Sequence, residues 1–132
     1  MKKLLIVFIF FFSYTAYSQT AEEYFNSGLE KHQNGDYEGA IADYSKAIKI
    51  DPYYASAYNY RGNAKDNLKD YYGGIADFTK AIELNPNYAD AYYNRCLSKF
   101  YLGDKNGACQ DARNAQKLSS EGASRFINNE CN

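Results

Sequence analysis

The sequence predicts an all-α fold: a stack of three helical hairpins closed by a C-terminal capping helix. Two observations carry this. First, side chains recur at an interval of 34 residues: Tyr24, Tyr58 and Tyr92; Lys31, Lys65 and Lys99; Asp36, Asp70 and Asp104; Gly39, Gly73 and Gly107; Asp43, Asp77 and Asp111; Ala47, Ala81 and Ala115. A fixed period of this length marks stacked supersecondary units, none of which buries its apolar face alone. Second, within each period the apolar residues fall at helical spacing and are interrupted by turn-forming pairs. The repeats span 21–54, 55–88 and 89–122, and the capping helix spans 123–131.

In the first repeat, Tyr24, Phe25, Gly28 and Leu29 trace one side of a helix that Asn34-Gly35 breaks. Asp36 then stands at an N-cap, where a carboxylate accepts from free backbone N–H groups. Ala40, Ile41, Tyr44, Ala47 and Ile48 form the stripe of the second helix. Asp51-Pro52 stops it, because the residue before proline is pushed out of helical geometry. The second repeat follows the same plan, with Asp70 as cap, then Gly74, Ile75, Phe78, Ala81 and Ile82, and Asn85-Pro86 as the stop. Gly28 with Ala40, and Gly62 with Gly74, are expected to face each other across a hairpin, so that the two helices approach closely. Tyr44 and Phe78 supply bulk toward the next unit. In the tail, Ala123 and Phe126 take the columns of Ala89 and Tyr92. Residues 123–131 therefore read as the first helix of a truncated fourth unit, with Gly122 as the preceding turn.

Residues 1–18 read as an export signal. Lys2 and Lys3 precede an uninterrupted apolar run from Leu4 to Phe12, and Ala16-x-Ser18 supplies the small residues that a signal peptidase recognises. The run is well short of the ~20 residues that a membrane-spanning helix needs. The rival reading is a retained signal anchor, assisted by Tyr14 and Tyr17. Cleavage leaves a repeat domain over 19–132 with no stable membrane insertion. It also removes two lysines and moves the formal charge from −1 to −3. No basic block remains, which argues against nucleic acid as a partner.

An exported chain meets an oxidising compartment, so three cysteines imply one disulfide and one thiol left over. A turn near 119–121 brings Cys109, early in its helix, opposite Cys131, late in the capping helix. A turn near 103 also places Cys96 at the height of Cys109, but Cys96 occupies the column of Gly28 and Gly62 and should face Ala108. The pairing predicted is Cys109–Cys131, with Cys96 a small buried apolar residue. There is no C-x-x-C, and His32 stands far from the cysteines. No metal site, and no cofactor, is predicted. Nor is any catalytic residue. His32 has no Ser, Asp or Cys partner signature, the glycines sit at repeat columns instead of in a phosphate loop, and Glu22, Glu23 and the capping aspartates suit helix N-termini.

The columns resemble those of the tetratricopeptide repeat: an aromatic, L-G, A-x-x-x-F, A and P within one period. Tyr24, Gly28, Ala40, Tyr44, Ala47 and Pro52 fill them in the first repeat, and Tyr58, Gly62, Gly74, Phe78, Ala81 and Pro86 in the second. The third keeps Tyr92, Ala108 and Ala115 and departs at Cys96, Ala112 and Ser120. Lys31, Lys65 and Lys99 replace the family's mid-helix aromatic. The resemblance spans 21–122 and implies a right-handed superhelical stack. It further implies a concave groove lined by the first helix of each repeat. Carried onto this chain, the groove columns are Glu22, Phe25, Leu29, His32 and Gln33; then Ser56, Asn59, Asn63, Asp66 and Asn67; then Asp90, Tyr93, Leu97, Phe100 and Tyr101.

The resemblance implies binding to another protein or an extended peptide, with no catalysis. Phe25, Leu29, Asn59, Asn63, Asp66, Asn67, Tyr93 and Leu97 are the expected contacts. Carboxamides can hold a peptide backbone through donor and acceptor alike. Tyr93 and Leu97 serve either as an apolar anchor or as packing against residues 123–131. Chaperone-binding members clamp a terminal carboxylate with lysine, asparagine and arginine. Those columns here carry Phe25, Leu29, Tyr60, Asp90 and Asn94, so the cationic clamp is missing. The expected site of action is the bacterial periplasm or the cell exterior. The alternative is a structural subunit of a larger envelope complex, docking through an open N-terminal edge at Tyr24 and Phe25. The signal reading makes one prediction. Intact mass of protein purified from its native host corresponds to a chain starting at Gln19, whereas a retained Met1 in the membrane fraction overturns it.

Overall fold

A computed structural model describes residues 19–132, and the signal segment expected at 1–18 lies outside them. Seven helices follow in order: α1 (Ala21–Gln33), α2 (Tyr37–Ile50), α3 (Ala55–Asn67), α4 (Tyr71–Leu84), α5 (Ala89–Tyr101), α6 (Lys105–Lys117) and α7 (Glu121–Glu130). Among the described residues there is no strand. Each helix packs on the one before it. In addition α1 reaches α3, and α3 reaches α5, so the first helices of the hairpins lie side by side. The architecture is the expected stack of three helix–turn–helix units with a capping helix.

The helix starts follow the sequence chemistry. Asp36, Asp70 and Asp104 accept from the backbone N–H of Gly39, Gly73 and Gly107 at 3.0, 2.9 and 2.9 Å. Thr20 and Glu23 form a reciprocal capping box at the start of α1. Asp51 and Asn85 cap the C-termini of α2 and α4.

In the first repeat a Cβ on Gly28 would stand 2.6 Å from the Tyr44 ring, so Gly28 makes room for Tyr44. In the second repeat a Cβ on Gly62 would stand 2.7 Å from the Phe78 ring and 3.1 Å from the Gly74 carbonyl oxygen. There the two glycines do meet, beside the aromatic ring. Tyr44 and Phe78 are fully buried in these notches.

A polar device at the same 34-residue interval ties the units together. Asp43, Asp77 and Asp111 are buried on α2, α4 and α6. Lys65 Nζ lies 2.9 Å from Asp77, and Lys99 Nζ lies 2.8 Å from Asp111. Arg61 Nε and Nη2 donate to the two Asp77 oxygens at 2.9 and 2.7 Å, while Nη1 donates to Ser45 Oγ of the preceding repeat at 3.2 Å. Arg95 repeats this with Asp111 at 2.8 and 2.7 Å and Thr79 at 3.1 Å. Tyr58 and Tyr92 place their rings 5.5 and 5.8 Å from these guanidinium groups. In the first repeat Ser27 takes the arginine column and donates to Asp43 at 2.6 Å, and Lys31 stands 2.8 Å away. Burial alone would raise the Asp43 carboxyl, but Lys31 and Ser27 outweigh it and hold it below its ordinary value.

The C-terminal end closes on an apolar cluster of Cys96, Ala108, Ala112, Ala115, Ala123 and Phe126. Phe126 meets Phe100 edge-on at 5.3 Å. Ser120 caps α7, which begins two residues before the position expected from the sequence. Gly122 is therefore inside the helix, not in the turn, and lies against the Tyr93 ring. Cys109 and Cys131 are bonded, with Cα atoms 5.8 Å apart, and Cys131 stands just past the end of α7. Cys96 is a buried free thiol whose pKa burial pushes up to about 12.

Removing a buried acid should strand its cations, which is costly when both are desolvated. Asp77→Ala and Asp111→Ala should each lose about 3 kcal/mol, since an arginine and a lysine are left without a partner. Asp43→Ala should lose only about 1 kcal/mol, because Lys31 is far more exposed. Urea denaturation of the three variants checks this order.

Candidate functional site

Because α1, α3 and α5 lie side by side, their inward faces form one trough. Its first third is aromatic. The Phe25 ring centroid lies 5.7 Å from Tyr44, 5.0 Å from Tyr54 and 5.5 Å from Tyr60. Leu29 is half-buried on the same cluster. His32 meets Tyr37 edge-on at 5.1 Å, and burial lowers its pKa against the partial opposition of a hydrogen bond with Asn63. Phe25 thus faces into the stack. Tyr24 and Phe25, where an open apolar edge was expected, are both half-buried, and Tyr24 carries Lys46 Nζ over its ring at 5.3 Å.

The middle third contains the four polar residues expected to line the groove, and they divide. Asn63 and Asn67 are the accessible pair, and Asn67 Nδ2 donates to the Asn63 carbonyl oxygen at 2.9 Å and to its Oδ1 at 3.1 Å. Asn59 reaches the trough only as part of a depression's wall: it is 5% exposed and accepts from Asn94 Nδ2 at 3.1 Å. The adjacent helix α5 covers it. Asp66 is partly buried, with its carboxyl inserted against Gly74 of α4. At the far third, Tyr93 and Leu97 pack against the C-terminal cluster, and both also line a depression beside α7.

Three depressions run along the trough. One of about 230 Å³ is lined by Asn59, Tyr60, Asn63, Asp90 and Asn94. The next, of about 220 Å³, shares Asn63 and Asn94 with it and adds Leu97 and Tyr101. The third, of about 230 Å³, shares Leu97 and Tyr101 and continues to Phe126 and Arg125 on α7. One face of α5, from Asp90 through Asn94 and Leu97 to Tyr101, therefore runs through all three. The site expectation missed Lys69 and Tyr71, which line the second depression. Tyr71 stacks on Tyr101 at 5.2 Å. It opens a second helix, and the groove columns were read from first helices alone.

Asp66 is the unusual group here. Burial pushes its pKa up to about 6, with Asp70 adding and Ser98 opposing. Ser98 Oγ lies 2.5 Å from Asp66 Oδ2 and 3.1 Å from the Asn94 carbonyl oxygen. One hydroxyl proton serves only one of these contacts at a time. With Asp66 ionised, Ser98 donates to it. With Asp66 neutral, the acid donates to Ser98, whose own proton is then free for Asn94. Asp66 Oδ1 has no partner in either case.

The folded state therefore binds this proton more tightly than the unfolded chain, whose carboxyl titrates near its ordinary 3.8. Stability from this group is greatest below about pH 4, falls as pH rises through about 6, and stays lowered above. Asp66→Asn removes the titration while keeping a donor for Ser98. Its melting temperature should exceed that of the parent above pH 6, with the gap closing toward pH 4.

Among the described residues no group of histidine, cysteine and acidic side chains could hold a metal ion, and no helix is long and apolar enough to cross a membrane. The chain matches no curated protein sequence. Family profiles described as TPR repeat and tetratricopeptide repeat match residues 28–69 and 55–88. Among solved structures, it resembles the first TPR of Spaghetti (RPAP3) bound to the HSP90 peptide SRMEEVD. That match has a TM-score of 0.82 at 27% identity, over 86% of this chain and 92% of the other. The second TPR of Spaghetti (RPAP3), bound to the same peptide, gives 0.74 at 30% identity, over 76% and 93%. The second TPR domain of human RPAP3 in complex with the HSP70 peptide SGPTIEEVD gives 0.80 at 26% identity, over 85% and 95%. Repeat spacing, hairpin stacking and these likenesses agree: the chain belongs to the tetratricopeptide repeat family.

Proposed function

We propose that this chain is an exported, non-catalytic scaffold that holds an extended peptide or protein segment in the trough formed by α1, α3 and α5. The observation that carries the reading is the continuity of the trough. Three depressions joined through Asn63 with Asn94, and through Leu97 with Tyr101, make a track suited to an extended chain. Amides offer both donors and acceptors to a peptide backbone, and the Leu97, Tyr101 and Phe126 end offers an apolar anchor. The solved relatives bound to chaperone peptides support a peptide as the ligand. Export to the bacterial periplasm or cell exterior draws its support from the signal pattern and from the Cys109–Cys131 pairing.

The subunit reading, docking through the N-terminal edge, draws less support from Phe25, which packs on Tyr44, Tyr54 and Tyr60. A photoreactive phenylalanine analogue at position 67, in the trough, should yield crosslinked adducts in the native host. The same analogue at position 72, on the exposed side of α4, should yield none. Adducts from position 72 alone would move the binding surface to the outer face.

A further inference from the structure

The depression between α3 and α5 has a chemistry of one sign. Asp90 is the one charged residue that lines it, in the first turn of α5. Tyr60 contributes a ring on a residue that is 39% exposed. Asn94 uses its Nδ2 on Asn59, which leaves the Asn94 Oδ1 as an acceptor toward the depression. Asn63 Oδ1 lies on the same wall and accepts from Asn67.

The cations nearest in sequence are engaged elsewhere. Arg61 and Lys65 follow Tyr60 along α3 and are bound to Asp77. Arg95 and Lys99 follow Asn94 along α5 and are bound to Asp111. What lines this depression is a carboxylate, an aromatic face and carboxamides, while Lys69 lines the adjoining one. That set complements a cation: the carboxylate faces the charge, the ring meets it or flanks its aliphatic stem, and the oxygens accept its N–H groups.

We propose that the depression lined by Tyr60, Asn63, Asp90 and Asn94 takes a lysine or arginine side chain of the peptide bound in the trough. The inference rests on the trough reading and adds a charge preference to it. The peptides in the solved relatives, SRMEEVD and SGPTIEEVD, both end in two glutamates, a valine and an aspartate. In the present chain this depression favours the opposite sign, because Asp90 repels an acidic side chain and attracts a basic one.

The test is a selection from a random dodecapeptide phage library on the purified protein, followed by titration of the enriched peptides. The expected pool carries a lysine or arginine at one fixed position and is depleted in aspartate and glutamate. Asp90→Asn, which leaves the chain folded by circular dichroism, should weaken those peptides about two- to fivefold, the scale of one exposed ion pair. Asp90→Lys should weaken them more, and added salt should narrow the difference between parent and variant. A pool without basic enrichment whose binding is lost on Asn63→Arg, a block in the trough, overturns the charge preference and leaves the trough reading standing. A pool indifferent to both Asn63→Arg and Asp90→Lys overturns the two together.

Discussion

Each hairpin of this stack is organised around a buried aspartate on its second helix. Asp77 and Asp111 receive a lysine and a bidentate arginine from the first helix of their own repeat, and that arginine also reaches a hydroxyl on the repeat before. One side chain thus fixes the angle within a hairpin and the offset between hairpins. Bidentate pairing constrains orientation as well as distance, so a planar guanidinium is suited to setting a rotation where an ammonium would set only a separation. Tyr58 and Tyr92 flank the guanidinium groups of Arg61 and Arg95.

The same network decides what the trough presents. Drawing the first-helix lysines and arginines toward α2, α4 and α6 keeps five cations off the inner face. The inner face between α3 and α5 is then dominated by aromatics, carboxamides and a few acids, with Lys69 and Arg125 at its borders. On that face the repeats are joined by weaker contacts, Asn94 to Asn59 and Ser98 to Asp66, both between α3 and α5. The neutral Asn94–Asn59 bond contributes ~1 kcal/mol. The stack is therefore braced mainly from its aspartates and only lightly across the trough.

The fold was largely legible in the sequence. The period, the capping aspartates, the Asp51-Pro52 and Asn85-Pro86 stops and the closing helix are all local signals. Contacts across sixteen residues were not. Asp43, Asp77 and Asp111 could be aligned, but their partners lie on the opposite arm of the hairpin, and a column gives no direction. The burial of Asn59 was hidden for a related reason. Helical spacing puts it on one face with Asn63, but only the position of α5 determines that Asn94 covers it. At Gly28 a small residue opposite a small residue suggested backbone contact and gave no sign of the Tyr44 ring that stands nearest.

Ser27 in the arginine column has a consequence for how such an array can lengthen. Arg61 and Arg95 each reach backward to a hydroxyl on the previous unit, whereas Ser27 reaches only Asp43 of its own. A duplicated copy of residues 55–88 placed after the original would carry its own backward connector. It would also present Thr79 to the arginine that follows. A unit added ahead of residue 21 would meet no such connector. Gene duplication can therefore extend this protein from its interior with the joints already built, while growth at the front would require inventing one.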